Sequence, residues 1–292
     1  MGNDNNRSIA IYKWGKDKPL AKMRVGTDKG HSDDVYNLAY NPVTDHVVAG
    51  GKKFLRFFGV KPGALSSKED DARAAAKAGN AAPDSLSDHE SRIWAKKGTF
   101  GSKLGAQDVM SLAFDNDGIT YAGSGDGMIF RFAEQATDFM VKAHPWRGSG
   151  STNTYPEKNP CRVTAMWFDL KRKVLYSSGD DGWLHAWNTT SWDPKAKDHS
   201  KDAPKPVKSF DLNQWVPSEL KGTIVRMDES ELDKANPVRG NPAAAHAIYG
   251  DDKGNVLVGT VCNEIYELNI EDSKCVSTAR IHPCAYAFLA RY

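Results

Sequence analysis

Ser177-Ser178-Gly179-Asp180-Asp181-Gly182-Trp183-Leu184-His185-Ala186-Trp187 is the stretch that decides the fold. It closes a short apolar strand, Val174 to Gly179, on small residues, turns tightly through Asp and Gly, and opens a second strand, Trp183 to Trp187. Alternation along that second strand places Leu184 and Ala186 on one face and Trp183, His185 and Trp187 on the other. Upstream, Val163 to Phe168 supplies a strand before the pair.

The same order of pieces recurs through the chain, and internal repetition of this kind fixes an architecture. It appears at Asp34 to Tyr40, His46 to Gly51 and Lys53 to Phe58. It appears again at Val109 to Phe114, Gly118 to Ser124 and Met128 to Phe132, and more weakly at His246 to Tyr249, Val256 to Thr260 and Glu264 to Leu268. The pieces are short, rich in Val, Ile, Phe, Tyr and Trp, and bounded by Gly, Asp, Asn or Lys, which are strand and turn signals. A fourth strand can follow each triplet, at Ile93 to Gly98, Phe139 to Ala143, Val207 to Leu212 and Val276 to Ile281. Four antiparallel strands per unit make a β-propeller blade, so the expected fold is all-β.

The expected propeller region covers 7–292, with blades near 31–100, 107–143, 161–212 and 244–281 and partial blades at 7–30 and 285–292. Segments 62–92, 145–160, 193–206 and 216–242 read as inserted loops. With these set aside, the repeat approaches ~40–45 residues. A ring of this size closes poorly on four blades and two fragments. The length therefore reads as an excerpt of a longer protein, or as a chain whose ring is completed by the rest of its own propeller or by another polypeptide.

At the third unit the sequence resembles the WD40 family, whose blades often carry a hydrogen-bonded set of His, Ser or Thr, Asp and Trp. By position that set is His144, Ser177, Asp181 and Trp187. The resemblance implies a structural role, with the imidazole linking the turn Asp to the blade and the indole N–H finding a partner. Ser, His and Asp also spell a hydrolase, but no Gly-x-Ser-x-Gly turn is present and the repeat accounts for the residues without chemistry. In the other units the turn position holds Lys52, Asp126 and Cys262, while Phe58, Phe132 and Leu268 replace Trp. Such units are expected to rest on apolar burial between blades.

A longer succession of phrases carries a narrower likeness. It runs from Ser8-Ile9-Ala10-Ile11-Tyr12-Lys13-Trp14-Gly15-Lys16 and Val48-Ala49-Gly50-Gly51-Lys52-Lys53-Phe54 to Lys96-Lys97-Gly98-Thr99-Phe100-Gly101. Thr120-Tyr121-Ala122-Gly123-Ser124-Gly125-Asp126-Gly127 and Val256-Leu257-Val258-Gly259-Thr260 follow. In this order they resemble the tandem propellers of the echinoderm microtubule-associated protein-like family. The resemblance implies a non-enzymatic scaffold that binds tubulin, microtubules or other cytoskeletal proteins, located in the cytoplasm on the cytoskeleton or in a ciliary axoneme. Members commonly add a coiled coil and a basic region, and neither is recognisable in this sequence. The alternative is a generic WD40 adaptor that assembles a complex without touching microtubules.

Composition narrows the remaining classes. Lys+Arg at 39 against Asp+Glu at 37 gives a net charge of +2, too balanced for a surface devoted to nucleic acid or anionic lipid. No window reaches the ~18 consecutive apolar residues of a membrane span. The four cysteines, Cys161, Cys262, Cys275 and Cys284, form no Cys-x-x-Cys pair. Cys275, His282 and Cys284 lack a standard zinc spacing, so no metal is expected. Trp146-Arg147-Gly148-Ser149-Gly150-Ser151 does not run from a strand into a helix, so no phosphate cradle and no cofactor are expected. Lys195, Lys197, Lys201, Lys205 and Lys208, set among three aspartates, read as a mildly basic loop with an acidic partner as the functional alternative.

Overall fold

The computed structural model describes residues 8–12, 15, 19–25, 34–61, 92–101, 104–144, 161–192, 204–218, 243–251 and 253–280. Most of the segments expected as inserts, and the expected partial blade at 285–292, lie outside the described residues.

Strands β1 (Ser8–Tyr12) and β2 (Pro19–Arg24) form an antiparallel pair. Four four-stranded antiparallel sheets follow, each built from consecutive strands laid side by side. The first holds β3 (Val35–Asn41), β4 (His46–Gly51), β5 (Phe54–Val60) and β6 (Ile93–Lys97). The second holds β7 (Val109–Phe114), β8 (Thr120–Ser124), β9 (Met128–Ala133) and β10 (Ala136–Lys142). The third holds β11 (Val163–Asp169), β12 (Val174–Gly179), β13 (Trp183–Asn188) and β14 (Lys208–Asp211). The fourth holds β15 (Ala245–Gly250), β16 (Asn255–Thr260), β17 (Glu264–Asn269) and β18 (Lys274–Arg280). No α-helix occurs among the described residues. First strands touch in sequence, β3 with β7, β7 with β11 and β11 with β15, so the sheets stand side by side as propeller blades.

Period-two alternation sends each blade's apolar residues into two layers. Leu184 and Ala186 enter the layer shared with blade four, among Val256, Val258 and Tyr266. Trp187 enters the layer shared with blade two, beside Phe139 and Trp192. Val48, Leu55 and Phe57 of blade one meet Val109, Leu112 and Phe132 of blade two. The β1–β2 pair places Ile9, Ala21 and Val25 on Ala49, Phe58 and Ile93 of blade one.

Some strands start earlier than the residue pattern suggests, β18 at Lys274 rather than Val276 among them. β10 begins at Ala136 rather than Phe139, because Glu134 and Gln135 close a two-residue hairpin and Ala136 pairs with Ala133. Glu134 takes φ +57°, a left-handed value that the sequence does not advertise with a glycine.

Candidate functional site

The polar centre of the molecule lies where blade two hands the chain to blade three. His144 follows β10, yet its ring is buried in blade three. Its Nδ1 lies 3.0 Å from Asp181 Oδ2, and its Nε2 lies 3.0 Å from Ser177 Oγ. The Trp187 indole Nε1 donates to the same Ser177 oxygen at 2.9 Å. The structure thus brings His144, Ser177, Asp181 and Trp187 together, from β12, the β12–β13 turn, β13 and the end of the preceding blade.

Local sequence dictates the approach. Gly182 turns the chain at φ +72°, a region open to glycine, and the Asp181 carboxylate accepts the Trp183 N–H at 3.1 Å to seal the turn. Gly179 lies against the imidazole, and a Cβ there would come within 3.2 Å of His144 Cγ and 2.4 Å of the Arg162 carbonyl oxygen. Asp181 can only accept, so Nδ1 carries a proton. The Ser177 hydroxyl meets Nε2, and its oxygen accepts the Trp187 N–H. Burial alone would raise the Asp181 carboxyl, but the His144 charge and hydrogen bond and the Trp183 N–H hold it below the ordinary carboxylate value.

The connectivity, Ser to Nε2 and Asp to Nδ1, is that of a nucleophile, base and orienter. Ser177 and His144 have no exposed surface, however, and the Ser177 oxygen is engaged by the indole. No substrate carbonyl reaches the hydroxyl in this arrangement. What the chain of hydrogen bonds does is fasten β12, β13 and the turn between them to the tail of the neighbouring blade.

The neighbouring residues complete the electrostatics. Asp180 accepts from Arg162 Nε at 2.8 Å, so the Asp-Asp pair of the turn divides between a guanidinium and an imidazole. The His185 ring lies tilted with its centroid 4.8 Å from that of His144, and its Nδ1 contacts Ser209 Oγ at 2.8 Å. His144, Asp181 and His185 each place one donor atom within 4.8 Å of the others, a grouping of possible metal ligands that sequence spacing does not reveal. A single ion bonded at ~2.0–2.2 Å would need its ligand atoms closer than the outer limit of that group. Burial and the nearby Asp181 and Asp180 push the Cys161 thiol up to about 12, which leaves it unreactive at neutral pH. Of the Cys275, His282 and Cys284 trio, only Cys275 lies within the described residues, where its Sγ contacts the Ser277 carbonyl.

A second set of polar residues recurs in all four blades. Asn41, Asp115, Asp169 and Asp251 stand at the end of each first strand and fold the turn behind it. Asp115 Oδ1 accepts from Asp117 N at 3.0 Å and Ile119 N at 2.9 Å, and Asp169 Oδ1 accepts from Lys171 N and Arg172 N, both at 2.9 Å. Asn41 and Asp251 accept from Val43 N and Lys253 N in the same way. The turns are also tied to one another, since Asn41 Nδ2 donates to the Gly118 carbonyl and Asn116 Nδ2 donates to the Leu170 carbonyl. An Asx residue two places before a turn amide is a readable local signal, and comparing the four strand ends would have found it.

Among the lysines of the expected basic loop, Lys208 is spent structurally. Its ammonium donates to the carbonyl oxygens of Ile270 and Glu271, fastening blade three to the β17–β18 turn. Lys195, Lys197 and Lys201 lie outside the described residues.

Fold and site together define blades of the WD40-type β-propeller. The family described as WD domain, G-beta repeat, matches residues 22–58. The match runs from β2 through β5, so one sequence repeat takes the outer strand of one unit and three strands of the next. It falls on the first unit, which has Lys52 and Phe58 at the polar positions, rather than on the third unit with the full hydrogen-bonded set. WD40 domains mediate protein–protein contacts, so the repeat supports a role in protein interaction.

Proposed function

We propose that this chain is a non-enzymatic interaction scaffold, that tubulin or the microtubule surface is its partner, and that it acts on the cytoskeleton, including the axoneme. The observation that carries the scaffold reading is the WD40 repeat at 22–58 set within four blades, with the buried His144, Ser177 and Trp187 of blade three hydrogen-bonded to one another. The ordered series of phrases resembling echinoderm microtubule-associated protein-like propellers supports the choice of tubulin.

Co-sedimentation with polymerised microtubules over a salt series tests it. Binding to the acidic microtubule surface should be strongest at low ionic strength and weaken as salt screens the charges. Failure to pellet at the lowest salt removes the microtubule reading and leaves the scaffold.

One observation favours the alternative of an adaptor away from microtubules. The phrase Lys96-Lys97-Gly98-Thr99-Phe100-Gly101 is largely absorbed by packing between blades. Gly98 N donates to the Leu55 carbonyl, Thr99 bridges to Ala136 of the next blade, and Phe100 meets Phe130 and Phe132 edge-on at 5.0 and 5.3 Å. A phrase used this way reports on blade architecture as well as on a partner. Affinity purification that recovers a complex free of tubulin would favour the adaptor.

A further inference from the structure

The far face of blade four is built to be covered. Val48, Tyr121, Tyr176 and Leu257 occupy the same place in the second strand of successive blades, opposite Ala39, Ala113, Trp167 and Tyr249. The first three are 0%, 1% and 2% exposed beneath the blade that follows, whereas Leu257 is 41% exposed and Tyr249 66%. Glycines give a second, independent sign. A Cβ on Gly50 would strike Val109 of the next blade at 2.4 Å, and one on Gly123 would strike the side chain of Val163 at 2.7 Å. Each glycine is a socket for the residue that opens the following first strand. Gly259 holds the equivalent position in β16, and among the described residues a Cβ there would meet only Ala247, at 3.8 Å. No described residue fills the socket.

We infer that residues 286–291 of this chain fill it, docking as the first strand of a further blade with Tyr286 at Gly259 and Leu289 on Leu257. Residues 281–292 follow β18 and lie outside the described residues. Tyr286-Ala287-Phe288-Leu289-Ala290-Arg291 carries Leu-Ala at the places of Leu38-Ala39 and Leu112-Ala113 in the first strands of blades one and two. In blade two, Leu112 packs in the layer that holds Val48, the equivalent of Leu257. The direction of the chain also fits. Arg280 pairs with Glu264, at the end of blade four where the β16–β17 turn lies. The corresponding end is where Val109, Val163 and Ala245 start the first strands of their blades. The path crosses about 14 Å of blade and about 10 Å between sheets, a diagonal of about 17 Å. Six Cα steps from Arg280 to Tyr286 reach about 20 Å when extended.

Hydrogen exchange on the full 292-residue protein, held monomeric as shown by light scattering, tests the assignment. Amides of 287–290 should exchange at least about tenfold more slowly than an unstructured chain. Gly259→Val plugs the socket without a clash inside blade four, and Leu289→Asp alters only the incoming segment. Both should release the protection while amides of β15–β17 keep theirs. No protection in the parent protein overturns the assignment, as does protection that survives both substitutions. Protection that appears only at concentrations where the protein dimerises assigns the face to a second copy and overturns it too. The result does not depend on whether tubulin is the partner, so either reading can fail without the other.

Discussion

His144 is the residue on which the polar centre turns, because it satisfies a buried carboxylate and a buried hydroxyl with its two nitrogens. His144→Ala leaves the buried Asp181 carboxylate with the Trp183 amide and the nearby His185, and removing one partner of a buried charge costs about 3–5 kcal/mol. Denaturant unfolding should show that loss. Trp187→Phe removes only the donor to Ser177 and should cost about 1 kcal/mol. The pH dependence has a definite sign. The folded Asp181 carboxyl lies below its ordinary value of 3.8, so its stabilising contribution is complete above that value and disappears as the pH falls through the lower folded value. Unfolding midpoints measured from neutral pH into the acid range should decline less steeply in Asp181→Asn than in the parent. Equal slopes would mean that other carboxylates govern the acid response.

Strand elements were largely legible in the chain, and the reason is visible in β13. Leu184 and Ala186 face one layer and Trp187 the other, so the alternation in the sequence matches two different neighbours in space. Residues whose partners come from another blade were harder to see. Lys208 caps a turn of blade four and Thr99 bridges to β10, and even within blade three Arg162 finds Asp180 across the β11–β12 hairpin, pairings that no local period records. The hydrogen-bonded set of the third unit stood out because all four residue types coincide with the WD40 pattern. Its companions Arg162 and His185 carry no such pattern, whereas the Asx residue that folds each turn is readable once the four strand ends are set side by side. Phe100 shows the same limit. It reads as part of a distinctive phrase, but its physical role is to seal blade one to blade two among Phe57, Phe130 and Phe132. Phe100→Ala should cost about 3–5 kcal/mol of stability, as for other buried aromatics. Thermal melting measures the loss. A neutral substitution would mean that the two blades close over the vacancy.

For the molecule as a whole, stability is shared along a row of interfaces rather than gathered in one core. Each layer depends on two blades, and a repeat array of this kind gains stability from neighbour to neighbour. The two ends of the row differ from its middle. The β1–β2 pair covers Ala49, Phe58 and Ile93 but leaves Leu38 and Tyr40 exposed on the same side of blade one. The offset between the sequence repeat and the blade, seen in the span 22–58, means that covalent order and packing order are out of step.

That offset makes His144 a clasp. The residue belongs by peptide bonds to everything before segment 145–160, yet its ring is locked among Ser177, Asp181 and Trp187, which all come after it. A single proteolytic cut anywhere between 145 and 160 would sever the chain without parting the molecule. The two pieces should co-elute from a sizing column and separate only in denaturant. In His144→Ala the same cut should let the halves drift apart under far milder conditions, so one imidazole would decide whether a broken chain still behaves as a whole.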